Sequence, residues 1–572
     1  MSHDLVLQTK IGREETLEKF LHTIGKKGTI KDPCAVRLRR VNREEFEARW
    51  AQKARALQID ANWIEPGLKL KNFKLFAVHK RKPPAGMTDT MTKRHISIII
   101  KDFHFATVSV IIISIKELIL MTAKKLTIRQ KILVAGTLFG MFFGAGNLIF
   151  PVHLGQMAGS NVIPAIIGFI ITAVGIPIFG VAAIGVTHSD GLQTLSGKVG
   201  RGYGIFFTCL LYLTIGPFFA IPRCAATSFT VGLEQILPEG GNVRLYLLIF
   251  SLVFFAIALY FSLFPGKILT SIGKILNPLF LLFLAILIVV AMLRPSAHIA
   301  DVTPDASYAA QPFFTGFLGG YNTMDALASL AFGIIVVQVI RDLGVQEPGD
   351  IAANTVRAGI FSCLFMGVIY LFVTIVGTQS RGLFAAAENG GTALAQIAQH
   401  YLGYPGLVIL AATVTLACLK TAVGLITSCA ETFSALFPRG PAYRVWAALF
   451  AVISFLFANL GLSSIITFSV PVLMFLYPLS ITLILLALCG KLFHHDRAVY
   501  NWVIGCTLVA SVYDLLRSLP DTLRAACHLD GLLDAVGGVL PLAEAGLGWI
   551  CPTLLGLVIG LIVHFAKKPR TN

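Results

Sequence analysis

The sequence predicts an all-α integral membrane protein with about twelve transmembrane helices. Hydrophobic residues make up 55% of the chain and charged residues 13%, with a mean hydropathy of +0.76. A soluble domain carries about 25% charged residues, so the apolar residues exceed what one aqueous core requires. They also fall into repeated stretches of about 20 residues, the length that spans the hydrocarbon core of a lipid bilayer.

Twelve apolar segments are predicted to span the membrane, and their loops predict the orientation. The segments are residues 132–150, 162–186, 205–233, 245–263, 268–293, 312–340, 355–376, 407–436, 445–462, 465–488, 499–516 and 547–565. Alternate loops carry seventeen Lys and Arg on one side and five on the other. Because cationic loops stay on the cytoplasmic side, the segment around Met121 and the C-terminus are both predicted to be cytoplasmic, which requires an even number of spans.

The first 120 residues differ in character from the rest of the chain. They carry 23 Lys and Arg against 13 Asp and Glu, and charges interrupt the apolar stretch 96–120, which is therefore too short to span. At Met121 a cationic segment leads directly into the first long apolar segment. We interpret residues 121–572 as the membrane domain, and residues 1–120 as a basic extension that is poorly ordered, a cytoplasmic appendage, or the product of an upstream start.

Several functional classes are disfavoured by what the sequence lacks. The net charge of +17 is compatible with nucleic-acid binding, but the cations of the membrane domain lie in short loops, so no nucleic-acid partner is expected. No HExxH, no GxSxG within a span and no Walker A motif is present, so we expect neither an enzyme nor an ATP-driven pump. The cysteines show no metal-binding spacing, although Cys527 and Cys551 flank one predicted external loop and could form a disulfide.

Two spans contain signs of a broken helix. The first reads GTLFGMFFGAGNLIFP over residues 136–151, and the sixth reads FLGGYNTMDALASLAFG over residues 317–333. Unwound backbone at membrane depth is tolerated only where it lines a cavity or is buried in protein. Spans one and six hold corresponding positions in two five-helix halves, and matching interruptions indicate a midplane substrate site between inverted repeats. The alternative for the first span is that Gly136, Gly140 and Gly144 form a close-packing face.

The ends exposed by such a break predict the kind of molecule that binds there. Free amides at Gly144, Ala145 and Gly146 would present the positive end of a half-helix dipole to a carboxylate. Free carbonyls near Gly140 and Phe143 would coordinate a cation or accept a hydrogen bond from an ammonium group. A zwitterionic amino acid fits both ends, so the expected partner is a small amino acid.

Five segments resemble the bacterial branched-chain amino acid:cation symporters. They are FFGAGNLIFP, GPFFAIPRCAATSFTVG, YNTMDALASLAFG, LACLKTAVGLITSCAE and SVPVLMFLYPLS, which run in order between Lys124 and Ala566. The resemblance implies uptake of leucine, isoleucine and valine coupled to Na⁺ or H⁺ across the inner membrane, with no soluble cofactor. It also implies the ten-helix inverted-repeat fold of the amino acid/polyamine/organocation transporters plus two extra helices. The alternatives are a carrier for another neutral amino acid, or a cation-independent carrier, channel or sensor of the same fold.

The two breaks predict the substrate site, which would use Gly144, Ala145, Gly146, Asn147, Gly320, Thr323, Met324 and Asp325. The resemblance implies a polar cluster of Asn147 and Thr323, and a cation site. The only metal implied is Na⁺, held by residues of spans one and eight: Gly140, Phe143, Ala417, Lys420 and Thr421.

Two residues depart from the family pattern. Asn322 stands where an aliphatic residue is expected, and Lys420 stands where a small hydroxyl or apolar residue is usual. Because two cations repel strongly in a low dielectric, we hypothesise that the Lys420 ammonium replaces the sodium ion, as a fixed charge or as a group that loads and releases a proton. The alternative is that Lys420 turns toward Glu431 or a water-filled cavity and leaves the sodium site intact.

Charges within the predicted spans form the last group of candidates. They are Lys420, Arg223, Asp325 and Glu431. A charge at the bilayer centre costs about 2.5 to 3.5 kcal/mol on insertion scales, so each is expected to face the bundle interior and to have a partner. Arg223 with Asp325 is the predicted ion pair, of structural or functional role, while Glu431 lies close enough to the cytoplasmic boundary to reach water.

Overall fold

The computed structural model describes most of the predicted membrane domain. Described are residues 126–567 without residues 145, 188, 190, 239–240 and 265–266, together with three strands nearer the N-terminus. The chain divides into two units, Met1–Val108 and Ser109–Asn572. Apart from those strands, the predicted extension of residues 1–120 lies outside the described residues.

The first unit contains a three-stranded antiparallel sheet. Its strands are β1 (Leu5–Thr9), β2 (Arg37–Val41) and β3 (Lys74–His79), in the order β1-β3-β2. The sequence predicted a basic extension here and did not predict these three strands.

The second unit is helical, and every predicted span coincides with a helix or a broken pair. We number the helices by span: α1a (Ile128–Phe142), α1b (Gly146–Ala158), α2 (162–186), α3 (201–231), α4 (Val243–Leu263), α5 (Lys267–Leu293), α6a (Pro312–Gly319), α6b (Asp325–Asp342), α7 (Pro348–Gln379), α8 (Gly390–Leu436), α9 (Tyr443–Ala458), α10 (Leu462–Leu488), α11 (Arg497–Arg517) and α12 (Ile550–Lys567). Short α-helices in the connections are Leu192–Ser196, Ala306–Ala310, Asp521–Ala526 and Asp530–Gly537. One-turn 3₁₀ segments are Gly159–Asn161, Leu233–Ile236, Ile299–Asp301, Gly320–Thr323, Ser380–Gly382 and Gly490–Phe493.

Length and hydropathy identify most of these helices as membrane-crossing. Within the described residues, seven helical segments are long and apolar enough to cross a bilayer, and the bent pair α6a–α6b makes an eighth. Three shorter apolar helices, Leu279–Leu293, Tyr443–Ala458 and Ile550–Ala566, occupy further predicted spans. The prediction of an all-α membrane architecture is therefore confirmed.

Three helices are distorted where the sequence supplies glycine or proline. A π-helical turn, Ile171–Gly175, interrupts α2, and another, Thr214–Phe218, which contains Pro217, interrupts α3. Helix α8 changes direction at Gly403, whose φ of 66° lies in the left-handed region, two residues before Pro405. Because L side chains avoid that region, this corner separates a peripheral segment from the predicted span 407–436.

Helix packing in the second unit has the symmetry of an inverted repeat. Helix α1 packs along α7 just as α6 packs along α2, while α3 packs on α8 and α4 on α9. These are the contacts expected if α1–α5 and α6–α10 are related by a two-fold axis. Since each repeat has five spans, the second must enter the membrane from the opposite side. Helices α11 and α12 pack on each other, and α11 packs on α10.

Glycines bring the helices of this core into backbone contact. A Cβ on Gly316 of α6a would lie 1.9 Å from the carbonyl oxygen of Ala165, and one on Gly168 of α2 would lie 2.1 Å from that of Phe313. Likewise, a Cβ on Gly155 of α1b would lie 2.0 Å from the carbonyl oxygen of Thr374 on α7. Such small-residue contacts replace the hydrophobic effect as the force that joins helices in lipid, and they fix the depth at which the two breaks lie.

Candidate functional site

The first break lies between α1a and α1b and is stabilised by Asn147. The Gly144 amide donates to Oδ1 of Asn147 at 3.0 Å, and the Asn147 amide donates to the Gly144 carbonyl oxygen at 3.2 Å. In a continuous helix the Gly144 amide would instead donate to the carbonyl of Gly140. The break therefore releases the Gly140 carbonyl, as predicted, but it consumes the Gly144 amide that was expected to be free.

The glycines of α1a do not form a close-packing face. A Cβ on Gly136 or on Gly140 would meet no atom within 4 Å, and one on Gly144 would meet only atoms at 3.8 and 3.9 Å. Since close packing needs backbone contact at the glycine positions, that interpretation of the first span is wrong. The three glycines instead leave open space beside α1a and the break.

The second break lies between α6a and α6b, which are bent by 45°. A 3₁₀ turn, Gly320–Thr323, is followed by Met324 in the left-handed region with φ of 61°. Such a conformation is uncommon for a residue other than glycine. It ends the first helical segment, so that Asp325 becomes the first residue of α6b, where the positive end of the helix dipole favours a carboxylate.

Asn147 joins the two breaks through its side-chain amide. Its Nδ2 donates to Oδ2 of Asp325 at 2.6 Å and to the hydroxyl oxygen of Tyr370 on α7 at 2.5 Å. The three side chains are buried, with exposed fractions of 2%, 4% and 0%. Buried polar groups are costly unless they are hydrogen-bonded, so this network fixes α1, α6 and α7 relative to one another.

Arg223 does not form the predicted ion pair with Asp325. Its guanidinium donates from Nη1 to the backbone carbonyl of Asn322 at 2.7 Å, and it lies 5.0 Å above the ring of Phe150. The break in α6 exposes that carbonyl, and the aromatic face provides a cation–π contact. Arg223 therefore links the break in α6 to α1b, while the Asp325 carboxylate accepts from Asn147.

A cavity of 890 Å³ contains both breaks. Its walls include ten predicted site residues: Gly140, Phe143, Gly144, Gly146, Asn147, Thr323, Met324, Asp325, Ala417 and Thr421. Lys420, Arg223 and Glu431 also border it. The cavity extends to Gln193 in the connection between α2 and α3, which the loop charges place on the cytoplasmic side.

Three of the predicted site residues need separate comment. Ala145 lies outside the described residues. Gly320 packs toward α2, where a Cβ would lie 2.0 Å from Oγ1 of Thr172, and it is not among the residues that line the cavity; its part in the substrate site stays a prediction. Glu431 is exposed rather than buried, because it lies toward the cytoplasmic end of α8.

The five residues predicted to hold a cation all border the cavity. The hydroxyl of Thr421 donates to the Ala417 carbonyl at 3.0 Å, and a Cβ on Gly144 would lie 3.9 Å from that hydroxyl oxygen. Lys420 is half-buried on the same helix, and no described residue forms a hydrogen bond or ion pair with its ammonium group. The described residues contain no group of three His, Cys, Asp or Glu side chains that could hold a transition metal.

The side of the breaks that faces away from this cavity is closed. The rings of Tyr321 and Tyr477 stack at 4.0 Å between centroids, which ties the 3₁₀ turn of α6 to α10. Arg223 and Phe150 complete the closure beside them. The central cavity therefore reaches the breaks from the side predicted to be cytoplasmic.

Sequence comparison identifies the family. The family model described as "branched-chain amino acid transport protein" matches residues 128–567. The chain belongs to this family. It is 48% identical to the branched-chain amino acid permease BrnQ of Lactobacillus delbrueckii subsp. lactis over 78% of this chain and 99% of that one. It is 38% identical to the permease BraB of Bacillus subtilis over 78% of this chain and 97% of that one.

Comparison with solved structures supports the fold of this branched-chain amino acid transport protein. Mhp1, a nucleobase-cation-symport-1 family transporter in a closed conformation with bromovinylhydantoin bound, matches with a TM-score of 0.51 at 15% identity. The match covers 77% of this chain and 93% of that one. A likeness at this identity concerns the fold alone. Together with the family, it confirms a membrane transporter rather than an enzyme.

One residue of the site, Tyr370, was not predicted from the sequence. Tyr370 accepts a hydrogen bond from Asn147 but lies in the middle of α7, within a run of apolar residues. A tyrosine in such a run is usually a core residue, so the sequence offered no signal. The packing of α7 along α1, which the glycine contact at Gly155 makes close, brings its hydroxyl to the break.

Proposed function

We propose that this protein imports leucine, isoleucine and valine across the cytoplasmic membrane by symport with Na⁺ or H⁺. The observation that carries the proposal is that two broken helices face one cavity and are joined by the hydrogen bond from Asn147 to Asp325. Broken helices at the midplane are where transporters with inverted repeats bind substrate and coupling ion. The family membership supports the choice of cargo.

The groups around the breaks match a zwitterion with an aliphatic side chain. The amide of Gly146 begins α1b, where helix geometry provides no acceptor and the dipole favours the substrate carboxylate. The Asp325 carboxylate, which borders the same cavity, is the acceptor for the ammonium group. Ala328, Phe332 and other apolar side chains of α6b border the same cavity and supply a surface for the aliphatic chain.

Transport by the purified protein in proteoliposomes tests this function. We expect labelled leucine to accumulate against its gradient when a cation gradient is imposed, and isoleucine and valine to compete within about a factor of ten, because an apolar pocket discriminates one methylene weakly. Preloading with unlabelled leucine should accelerate entry of the label, which a channel cannot do. A folded sample that moves another solute but neither binds nor moves these three amino acids would contradict the assignment.

The distribution of loop charges supports a defined orientation. We propose that the segment preceding α1a and the C-terminus both lie in the cytoplasm, since the cationic loops stay there. The cavity then opens to the cytoplasm in this conformation. The aromatic closure by Tyr321 and Tyr477 faces the exterior.

The coupling ion depends on Lys420. Its ammonium borders the same cavity as Gly140, Phe143, Ala417 and Thr421, so a sodium ion bound among these residues would lie close to a fixed positive charge. Two unit charges 4 Å apart repel by about 4 kcal/mol at an effective dielectric of 20. We propose that Lys420 takes the place of that ion and that transport responds little to sodium.

Substitution of Lys420 tests this proposal. We expect leucine uptake by Lys420→Thr to become dependent on sodium, because the variant removes the competing charge and adds a hydroxyl oxygen beside Thr421. Lys420→Arg is the matched control, since it keeps the charge and should remain insensitive to sodium. Uptake should be measured with sodium and pH varied independently. Strong sodium stimulation of the unmutated protein, with sodium bound at this site, would contradict the replacement.

A further inference from the structure

A second cavity lies on the opposite side of the α6 break. It has a volume of 440 Å³ and is bounded by α6a, the break itself, α10, α11 and the turn before α12. Asn322 lines it, whereas the next three residues line the central cavity. Because the connection after α11 belongs to the cation-poor loops, this outer cavity lies on the side predicted to be external.

The outer cavity contains a buried carboxylate without a hydrogen-bond partner. Asp514, one turn before the end of α11, is 3% exposed, and neither of its carboxylate oxygens is bonded by any described residue. Ser518 donates to the backbone carbonyl of Asp514 and not to the carboxylate. Arg517, on the same helix, donates to the carbonyl of Ala543 instead. An ionisable side chain at such a position is costly to bury, and it is usually retained for binding or transport.

A second acceptor in the same cavity also lacks a partner. The side-chain oxygen of Asn322 is buried and unbonded within the described part of the chain, since Arg223 uses the backbone carbonyl of that residue. Among the described residues, Asp514 and Asn322 are therefore two buried acceptors without a hydrogen bond at a cavity that is also lined by Glu544 and by Arg517, whose guanidinium bonds the Ala543 carbonyl. The remaining wall includes the apolar side chains of Phe314, Leu318 and Met474.

We infer that the outer cavity is a docking site for a cationic group, with the Asp514 carboxylate as its main acceptor and Asn322 as the second. The volume and the apolar wall favour the ammonium end of an aliphatic amino acid over a bare ion, because pockets of roughly 300 to 1,000 Å³ hold small molecules. In this arrangement the substrate waits outside the closure formed by Tyr321 and Tyr477, next to the break through which it must pass. The inference rests on the proposed function.

Transport measured separately from the two faces of oriented proteoliposomes tests the docking site. We expect Asp514→Asn to raise the KM for leucine entering from the external face about tenfold. A change of this size corresponds to the loss of one hydrogen bond to a charged group. The KM from the cytoplasmic face should stay within about twofold, because the central cavity is intact. Asn322→Leu should raise the external KM in the same direction without removing a charge. Asp530→Asn, in the exposed external connection, is the matched control and should change neither.

Two inhibitors identify the source of the cationic group. We expect 3-methylbutylamine, which has the ammonium group and aliphatic chain of leucine but no carboxylate, to inhibit external entry into the parent and not into Asp514→Asn. If sodium chloride, and not the amine, inhibits external entry into the parent but not into Asp514→Asn, the site binds an alkali cation instead of an ammonium group. Equal KM changes on both faces, or inhibition by neither compound, would overturn the docking site. Absence of any amino acid flux in the parent would instead overturn the proposed function.

Discussion

Replacing Asn147 with alanine is expected to reduce leucine transport by about 100-fold or more. The variant loses the hydrogen bonds to Gly144, Asp325 and Tyr370 together. Each buried partner left unsatisfied costs about 1 to 3 kcal/mol, and every 1.4 kcal/mol corresponds to a factor of ten. The Gly144 amide also becomes free to donate to Gly140, which would close the break and remove the released carbonyl. The initial rate of uptake, normalised to the amount of folded protein, measures the effect.

Two further variants separate the role of Asn147 from general destabilisation. Asn459→Ala removes a partly buried membrane asparagine that bonds Ser251 and the Phe455 carbonyl, away from the cavity, and should keep near-parental uptake. Asn147→Asp keeps the size of the side chain but places a carboxylate 2.6 Å from that of Asp325, so it should be at least as damaging as alanine. Near-parental transport by Asn147→Ala would show that the network does not hold the breaks in their working geometry.

Replacing Gly316 with alanine is expected to cause a large loss of stability. The added Cβ would lie 1.9 Å from the carbonyl oxygen of Ala165, a backbone atom that cannot move without separating α6a from α2. Overpacking costs about 1 to 3 kcal/mol in well-packed cores and more where backbone must shift. We therefore expect a lower midpoint of thermal unfolding in detergent and a lower yield of monodisperse protein.

The matched control for this substitution is Gly505→Ala on α11. A Cβ at that position would meet no atom within 4 Å, and alanine has a higher helix propensity than glycine. The control should unfold at the parental temperature or slightly above it. If Gly316→Ala were as stable as Gly505→Ala, the close approach of α6a and α2 would not be needed for the fold.

The loop charges and the hydropathy were sufficient to predict the helical spans. Lipid excludes unpaired backbone groups, so an apolar run of about 20 residues has one stable structure in a membrane, whatever its neighbours. The two breaks were predictable for a related reason. Glycine pairs followed by a polar residue, as in Gly144 to Asn147 and in Gly320 to Asp325, are unfavourable in a lipid-facing helix and are kept where the backbone lines a cavity.

The partners of the buried charges were not predictable, because each depends on where another helix lies. The sequence suggested Arg223 with Asp325 as opposite charges, yet Arg223 bonds the Asn322 carbonyl and Asn147 bonds Asp325. A backbone carbonyl becomes an acceptor only once α6 has unwound. The packing of Gly320 against α2 was unpredictable for a similar reason, because a glycine in a break can face a ligand or a neighbouring helix, and only the tertiary structure shows the approach of Thr172.

The sequence by itself determined the membrane architecture, the positions of the breaks and the family of this protein, because these follow from local composition and from motifs carried by neighbouring residues. The tertiary structure alone decided that Tyr370 joins the network at Asn147, that Arg223 closes the breaks over Phe150, and that Asp514 borders a separate outer cavity. The physical reason is that hydrogen bonds and burial act over a few ångströms between residues that lie far apart in the sequence. Their partners are set only when glycine contacts fix how the helices cross.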